Sequence, residues 1–112
     1  MVHGTYYNVV EPIMTTGLNK MARNHIHMAI GMPGKKGVIS GMRSQCEVVI
    51  DINMAKAMYD GNVPFLISSN KVILSPGIQG ILPHQYFRSV LDFKTKKYIY
   101  QAPFDYICVY DF

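Results

Sequence analysis

An α+β fold, with a largely antiparallel β-sheet and short helices, is what this sequence predicts, on three observations. Strand-like runs follow one another instead of alternating strictly with helices, which argues against a parallel βαβ architecture. The chain has 112 residues, one small domain's worth, so every element must share a single core. Hydrophobic residues make up 49% and charged residues 16%, the latter below the roughly 25% of ordinary soluble proteins, which excludes a disordered polyelectrolyte.

In chain order, residues 5–17 read as a short helix. Thr5 is placed to cap its start, Val9, Val10, Ile13 and Met14 recur at helical spacing, and Gly17 supplies a stop. Pro12 keeps that helix short or kinked. His25 to Ala29 reads as a strand entered after a polar turn, and the glycine-rich segment from Ile30 to Gly41, which also carries Pro33, as a mobile loop. Cys46 to Ile52 is a β-branched run, followed by one or two helical turns from Met54 to Tyr59 that end at Asp60 and Gly61. Phe65 to Ser68 and Val72 to Leu74, joined across Ser69 and Asn70, form a hairpin candidate. Ile78 to Leu82 and Tyr86 to Leu91 supply two further strands around Pro83. Beyond Asp92 the lysines 94, 96 and 97 cluster, and the aromatic runs 98–100 and 106–110 form either an additional hairpin or an ordered tail packed across the sheet.

The chemistry-bearing residues are few. Cys46 and Cys108 lie far apart and make no CxxC unit, so neither a disulfide framework nor a thiolate zinc site is indicated, and a reducing compartment is expected. No apolar run approaches the roughly 18 residues of a membrane span, and residues 1–16 lack the pattern of a signal peptide. The chain therefore reads as soluble and intracellular, in the cytoplasm or nucleus. A net charge of +4 favours an anionic partner such as a nucleotide or RNA without demanding one.

Strand alternation places His25 and His27 on one face. There they serve as hydrogen-bonded structural histidines, as ligand contacts, or as two metal ligands that still need a third from His3, His84, Cys46 or a carboxylate. His3, Gly4 and Thr5 sit where a short strand ends and a helix begins. The backbone amides can point at a polar ligand there, and Gly4 allows it close; the plain alternative is a chance histidine beside a helix cap. The glycine loop fails the Walker pattern at Ala29 and Lys36, and neither GxGxxG nor GxSxG occurs. Arg23, Arg43 and Arg88 are the only arginines, and the first two flank the histidine strand and the glycine loop. Each is either a solvated side chain or a planar fork suited to phosphate.

Taken together, the blocks HGTYYNVVEPIMTTGL, RNHIHMA, VISGMRS, VVID, SSNKVILSPG and GILPHQYF resemble the NAD-dependent tRNA 2′-phosphotransferase family. They resemble in particular its carboxy-terminal lobe of ADP-ribosyltransferase type, with a split, largely antiparallel sheet. The resemblance runs from His3 to about Leu91. It implies an NAD-binding lobe over 1–92 and leaves 93–112 as a C-terminal extension; the amino-terminal winged-helix lobe of family members is expected to be absent here, a departure from the family.

The implied activity acts on RNA carrying an internal 2′-phosphate, the mark of a ligated tRNA splice junction. That phosphate attacks the nicotinamide ribose of NAD and expels nicotinamide, after which the ribose 2″-hydroxyl attacks the phosphate. The products are RNA with a free 2′-hydroxyl and ADP-ribose 1″,2″-cyclic phosphate, with no metal required. Carried onto this chain, His3 holds a ribose hydroxyl, and the Gly4 backbone, beside Thr5, reads the carboxamide. His27 takes the second position of the transferase signature, with His25 nearby. Arg23 and Asn24 line the NAD cleft, and Arg43 grips phosphate on a turn shaped by Ser40 and Gly41. The third signature position, apolar in this family and glutamate in many relatives, falls in the segment Ile78 to Leu82, which holds Gln79 and no glutamate. Lys71 departs from the pattern, which has glycine after Asn70. A separate winged-helix lobe is an implied partner. The competing readings are a stand-alone ADP-ribosyltransferase acting on a nucleic-acid phosphate end, a small molecule or a protein, and a non-catalytic module that binds NAD or RNA.

Overall fold

A computed structural model describes residues 1–31 and 46–103. Along the chain run β1 (Val2–Thr5), α1 (Tyr7–Thr16), β2 (Leu18–Asn19), β3 (Ile26–Met28), β4 (Val48–Ile52), α2 (Met54–Gly61), β5 (Leu66–Ile67), β6 (Ile73–Ser75), β7 (Ile81–Leu82), a 3₁₀ turn (His84–Tyr86), β8 (Phe87–Asp92) and β9 (Lys97–Gln101). Every pairing is antiparallel: a four-stranded sheet in the order β1-β4-β8-β9, a three-stranded sheet β3-β6-β5, and the two-residue pair β2-β7. With two helices beside these sheets, the fold is α+β.

The β-branched run of β4 explains its central place. Alternation turns Val48, Ile50 and Ile52 into the main core with Ile26, Met28, Leu82, Phe87 and Val90. It turns Val49 to the opposite face, against Val2, Ala29 and Cys46. A strand buried on both faces has its register set twice over, since a slip by one residue exchanges the two sets. Asn53 then caps α2, its side chain accepting from the Lys56 N–H at 3.0 Å, while its own N–H donates to the Tyr86 carbonyl at 2.8 Å.

Several elements depart from the sequence reading. Thr5 is the last residue of β1, opposite Val48, and does not cap α1; the cap is Tyr6, without a side-chain bond. The Glu47 carboxylate takes that task by accepting from the Tyr7 N–H at 3.1 Å. Pro12 lies inside α1, so the Asn8 carbonyl loses its helical donor, and the helix ends at Thr16. Gly17 follows with φ of 122°, and a Cβ there would fall 2.2 Å from the Leu82 carbonyl oxygen.

Ile78 to Leu82 is not a continuous strand. Gln79 and Gly80 have φ of 53° and 87°, and Ile78 and Ile81 exchange backbone hydrogen bonds across them, so the segment is a two-residue hairpin turn of type I′ leading into β7. Residues 97–101 add to the edge of β8 as a fourth strand, with Tyr98 opposite Leu91 and Tyr100 opposite Val90. The predicted loop over 30–41 falls mostly outside the described residues, as does the run 106–110.

The hairpin β5–β6 forms as expected, and its turn explains the departure at Lys71. That residue has φ of 64°, the left-handed region where a Cβ is strained. Replacing it with glycine, K71G, is expected to stabilise the protein by about 0.5–1 kcal/mol, the relieved strain less the extra freedom of the unfolded chain. Urea unfolding measures this; an unchanged or lowered midpoint would count against the assignment.

Candidate functional site

β1 and β3 meet at a single bridge. Val2 and Ala29 exchange both backbone hydrogen bonds, at 2.9 and 2.8 Å, and beyond them the strands diverge into separate sheets. On the other edge of β1, the carbonyls of Met1 and Thr5 accept from the Ile52 and Glu47 N–H groups on the β4 side. Backbone groups alternate along a strand, so the N–H and C=O of Gly4, like those of Val2, are turned toward β3. Past the bridge they open into the split. Donor and acceptor stand side by side there on a residue with no side chain to screen them.

The partly buried His3 ring fills the wedge. Its Nδ1 lies 2.8 Å from the His27 carbonyl oxygen, and as the carbonyl can only accept, Nδ1 carries the proton. His27 repeats the arrangement, its Nδ1 donating to the His25 carbonyl at 3.1 Å. With Nδ1 carrying the proton, the neutral form of each ring leaves Nε2 as its acceptor. Burial lowers the His3 pKa from its ordinary 6.5, with smaller contributions from the neighbouring His27 and Arg23, and the hydrogen bond to His27 opposes them.

Of the residues singled out from sequence, the structure brings His3, Gly4, His25 and His27 together at this split. Thr5 ends β1, buried beside Val48, and its carbonyl is spent on Glu47. Arg23 and Asn24 stand exposed on the turn into β3. Arg23 acts electrostatically on His3. Ser40, Gly41 and Arg43 lie outside the described residues. His25 precedes β3 and contributes its carbonyl, so the strand is shorter than His25 to Ala29.

Sequence reasoning missed the two backbone carbonyls that fix the imidazoles, for which no side-chain pattern exists. It also missed Lys20, whose ammonium donates to the Arg23 carbonyl at 3.1 Å and steadies the turn carrying Arg23 and Asn24. Among the described residues no group of three or more His, Cys, Asp or Glu is placed to hold a metal, and no helix is long and apolar enough to cross a membrane.

A family model described as RNA 2′-phosphotransferase, Tpt1 / KptA family, matches residues 1–77. The chain is 47% identical over 98 residues to tRNA 2′-phosphotransferase 1 of Bos taurus and 44% identical over 98 residues to that of Homo sapiens, in each case across 87% of this chain and 38% of the relative. It is 39% identical over 79 residues to tRNA 2′-phosphotransferase of Saccharomyces cerevisiae, across 70% of this chain and 34% of the relative. The chain thus spans well under half the length of these relatives.

The lowered His3 pKa has a defined sign. The unfolded chain binds a proton at His3 near 6.5, whereas the folded chain resists it to lower pH, so stability is full above 6.5 and falls as pH drops below it. Urea midpoints at about pH 7.5 and about pH 5.5 should show this loss, and H3N should shed that part of the slope. An identical pH slope in H3N and wild type would contradict the assignment.

Proposed function

Because the chain belongs to the RNA 2′-phosphotransferase, Tpt1 / KptA family, we propose that it forms the NAD-binding catalytic part of an NAD-dependent enzyme that removes the internal 2′-phosphate of tRNA. The observation that carries this reading is the split between β1 and β3, where the Gly4 backbone and the neutral His3 ring face one space.

The residues present fit the dinucleotide. A carboxamide presents one acceptor and one donor in a plane, matching the adjacent N–H and C=O of Gly4, and the missing side chain lets the flat ring approach. His3, proton fixed on Nδ1, offers Nε2 to a ribose hydroxyl. His27, oriented by the His25 carbonyl, offers a second acceptor beside it. Arg23 brings positive charge to the edge of the cleft, suited to a pyrophosphate. When bound, NAD supplies an electrophilic ribose carbon whose bond to nicotinamide breaks.

The other reactant is an anion. Its nucleophile is already a phosphate oxygen, so no carboxylate base is needed, consistent with the absence of glutamate from the segment Ile78 to Leu82. On the family resemblance, Arg43 is assigned to this phosphate, its planar fork offsetting charge as the phosphate meets the ribose. The work is positioning and charge stabilisation.

Calorimetric titration with NAD tests the cleft. H3A should weaken binding by about 5- to 100-fold, the scale of one hydrogen bond to a buried polar group. R43A should leave NAD affinity within about twofold while lowering nicotinamide release from NAD plus 2′-phosphorylated RNA by roughly a hundredfold. Full NAD affinity in H3A, or full turnover in R43A, would contradict the respective role.

A further inference from the structure

The hairpin of β8 and β9 takes no part in the cleft, yet it carries exposed lysines at 94, 96 and 97 beside the exposed Tyr98. Asp92, the last residue of β8, accepts from the Tyr7 hydroxyl and from the N–H groups of Lys94 and Thr95 at 2.8, 3.0 and 3.2 Å. Its charge is therefore taken up in holding the turn. Lys94 reaches Glu47 at 3.7 Å, Lys96 lies over the Phe93 ring at 3.3 Å, and Lys97 is exposed. Next to them on the edge strand, Tyr98 and Ile99 are 54% and 49% exposed.

The register links this surface to the cleft. Gly4 is opposite Val49, Val49 opposite Leu91, and Leu91 opposite Tyr98, one continuous row across the sheet. Three strand spacings put β9 about 14 Å from β1, the reach of a few nucleotides. Like charges on the lysine-rich turn oppose a second copy of the chain. An extended nucleic-acid strand, in contrast, supplies both the phosphates that lysines want and the flat bases that an exposed tyrosine stacks on.

We propose that Lys97 and Tyr98, supported by Lys94 and Lys96, form a single-stranded RNA contact that holds the substrate strand flanking the reacting phosphate. Tyr98 stacks on a base and the lysines meet the adjoining backbone. This rests on the reading of the substrate as RNA.

Fluorescence anisotropy with a labelled oligouridylate tests it on the whole chain, with NAD affinity measured in parallel. Y98T, which keeps strand propensity, should weaken RNA binding about fivefold or more, and Y98F should restore it. K97Q should reduce the slope of log affinity against log salt by about 0.7. NAD affinity should be unchanged in all three. RNA binding by Y98T equal to wild type overturns the proposal while leaving the NAD reading intact, and displacement of RNA by polyglutamate as effective as by unlabelled RNA overturns it in favour of an unselective anion surface. NAD binding without RNA binding in the wild type overturns both this surface and the RNA substrate.

Discussion

One hydrogen bond, from the His3 imidazole to the His27 carbonyl at 2.8 Å, holds two parts of the β structure together while keeping them apart. Had β1 and β3 zipped beyond the Val2–Ala29 bridge, that carbonyl would accept from the backbone and Gly4 would spend its amide on a ladder bond. A side chain in place of the ladder leaves the strands splayed. It also ties the protonation state of the site to its geometry, because a proton held on Nδ1 is what makes Nε2 an acceptor. The His3 ring is thus both the wedge that opens the cleft and a polar group inside it.

A wedge needs a rigid base. β1 is seated on β4, whose residues 48, 50 and 52 enter the main core and whose Val49 is buried on the opposite face. Beside it a polar latch joins α1 to the β8–β9 turn. Partial desolvation pushes the Asp92 carboxyl up, but hydrogen bonds from Tyr7 and the turn outweigh it and hold it below the usual carboxylate value. The hydrogen bond to Asp92 likewise raises the Tyr7 hydroxyl above its usual value. These groups are solvent-exposed, so the latch contributes orientation more than stability. It fixes where α1 leaves β1, directly after His3 and Gly4.

The α+β class and the strands around β4 were legible because β-branched alternation there is strong, and the β5–β6 hairpin because its turn residues are explicit. Thr5 misled because a hydroxyl residue before a helical pattern reads as a cap whether or not the backbone is still extended. The Glu47 carboxylate that replaces it comes from 40 positions away. Ile78 to Leu82 misled because Gln79 is a poor herald of a left-handed turn, although Gly80 beside it is a good one. At the site, the histidines and Gly4 were legible from residue type and, above all, from the family resemblance. The carbonyls that orient the rings were not, since a backbone acceptor leaves no mark in the sequence.

The proton position on His3 tests the central claim most directly. Long-range ¹H–¹⁵N correlation spectra of histidine-labelled protein near neutral pH distinguish a protonated from an unprotonated ring nitrogen. The structure predicts a neutral His3 with its proton on Nδ1, and an Nε2 resonance that moves when NAD is added while Nδ1 stays protonated. A proton on Nε2, a charged ring near neutral pH, or an Nε2 resonance indifferent to saturating NAD would contradict it.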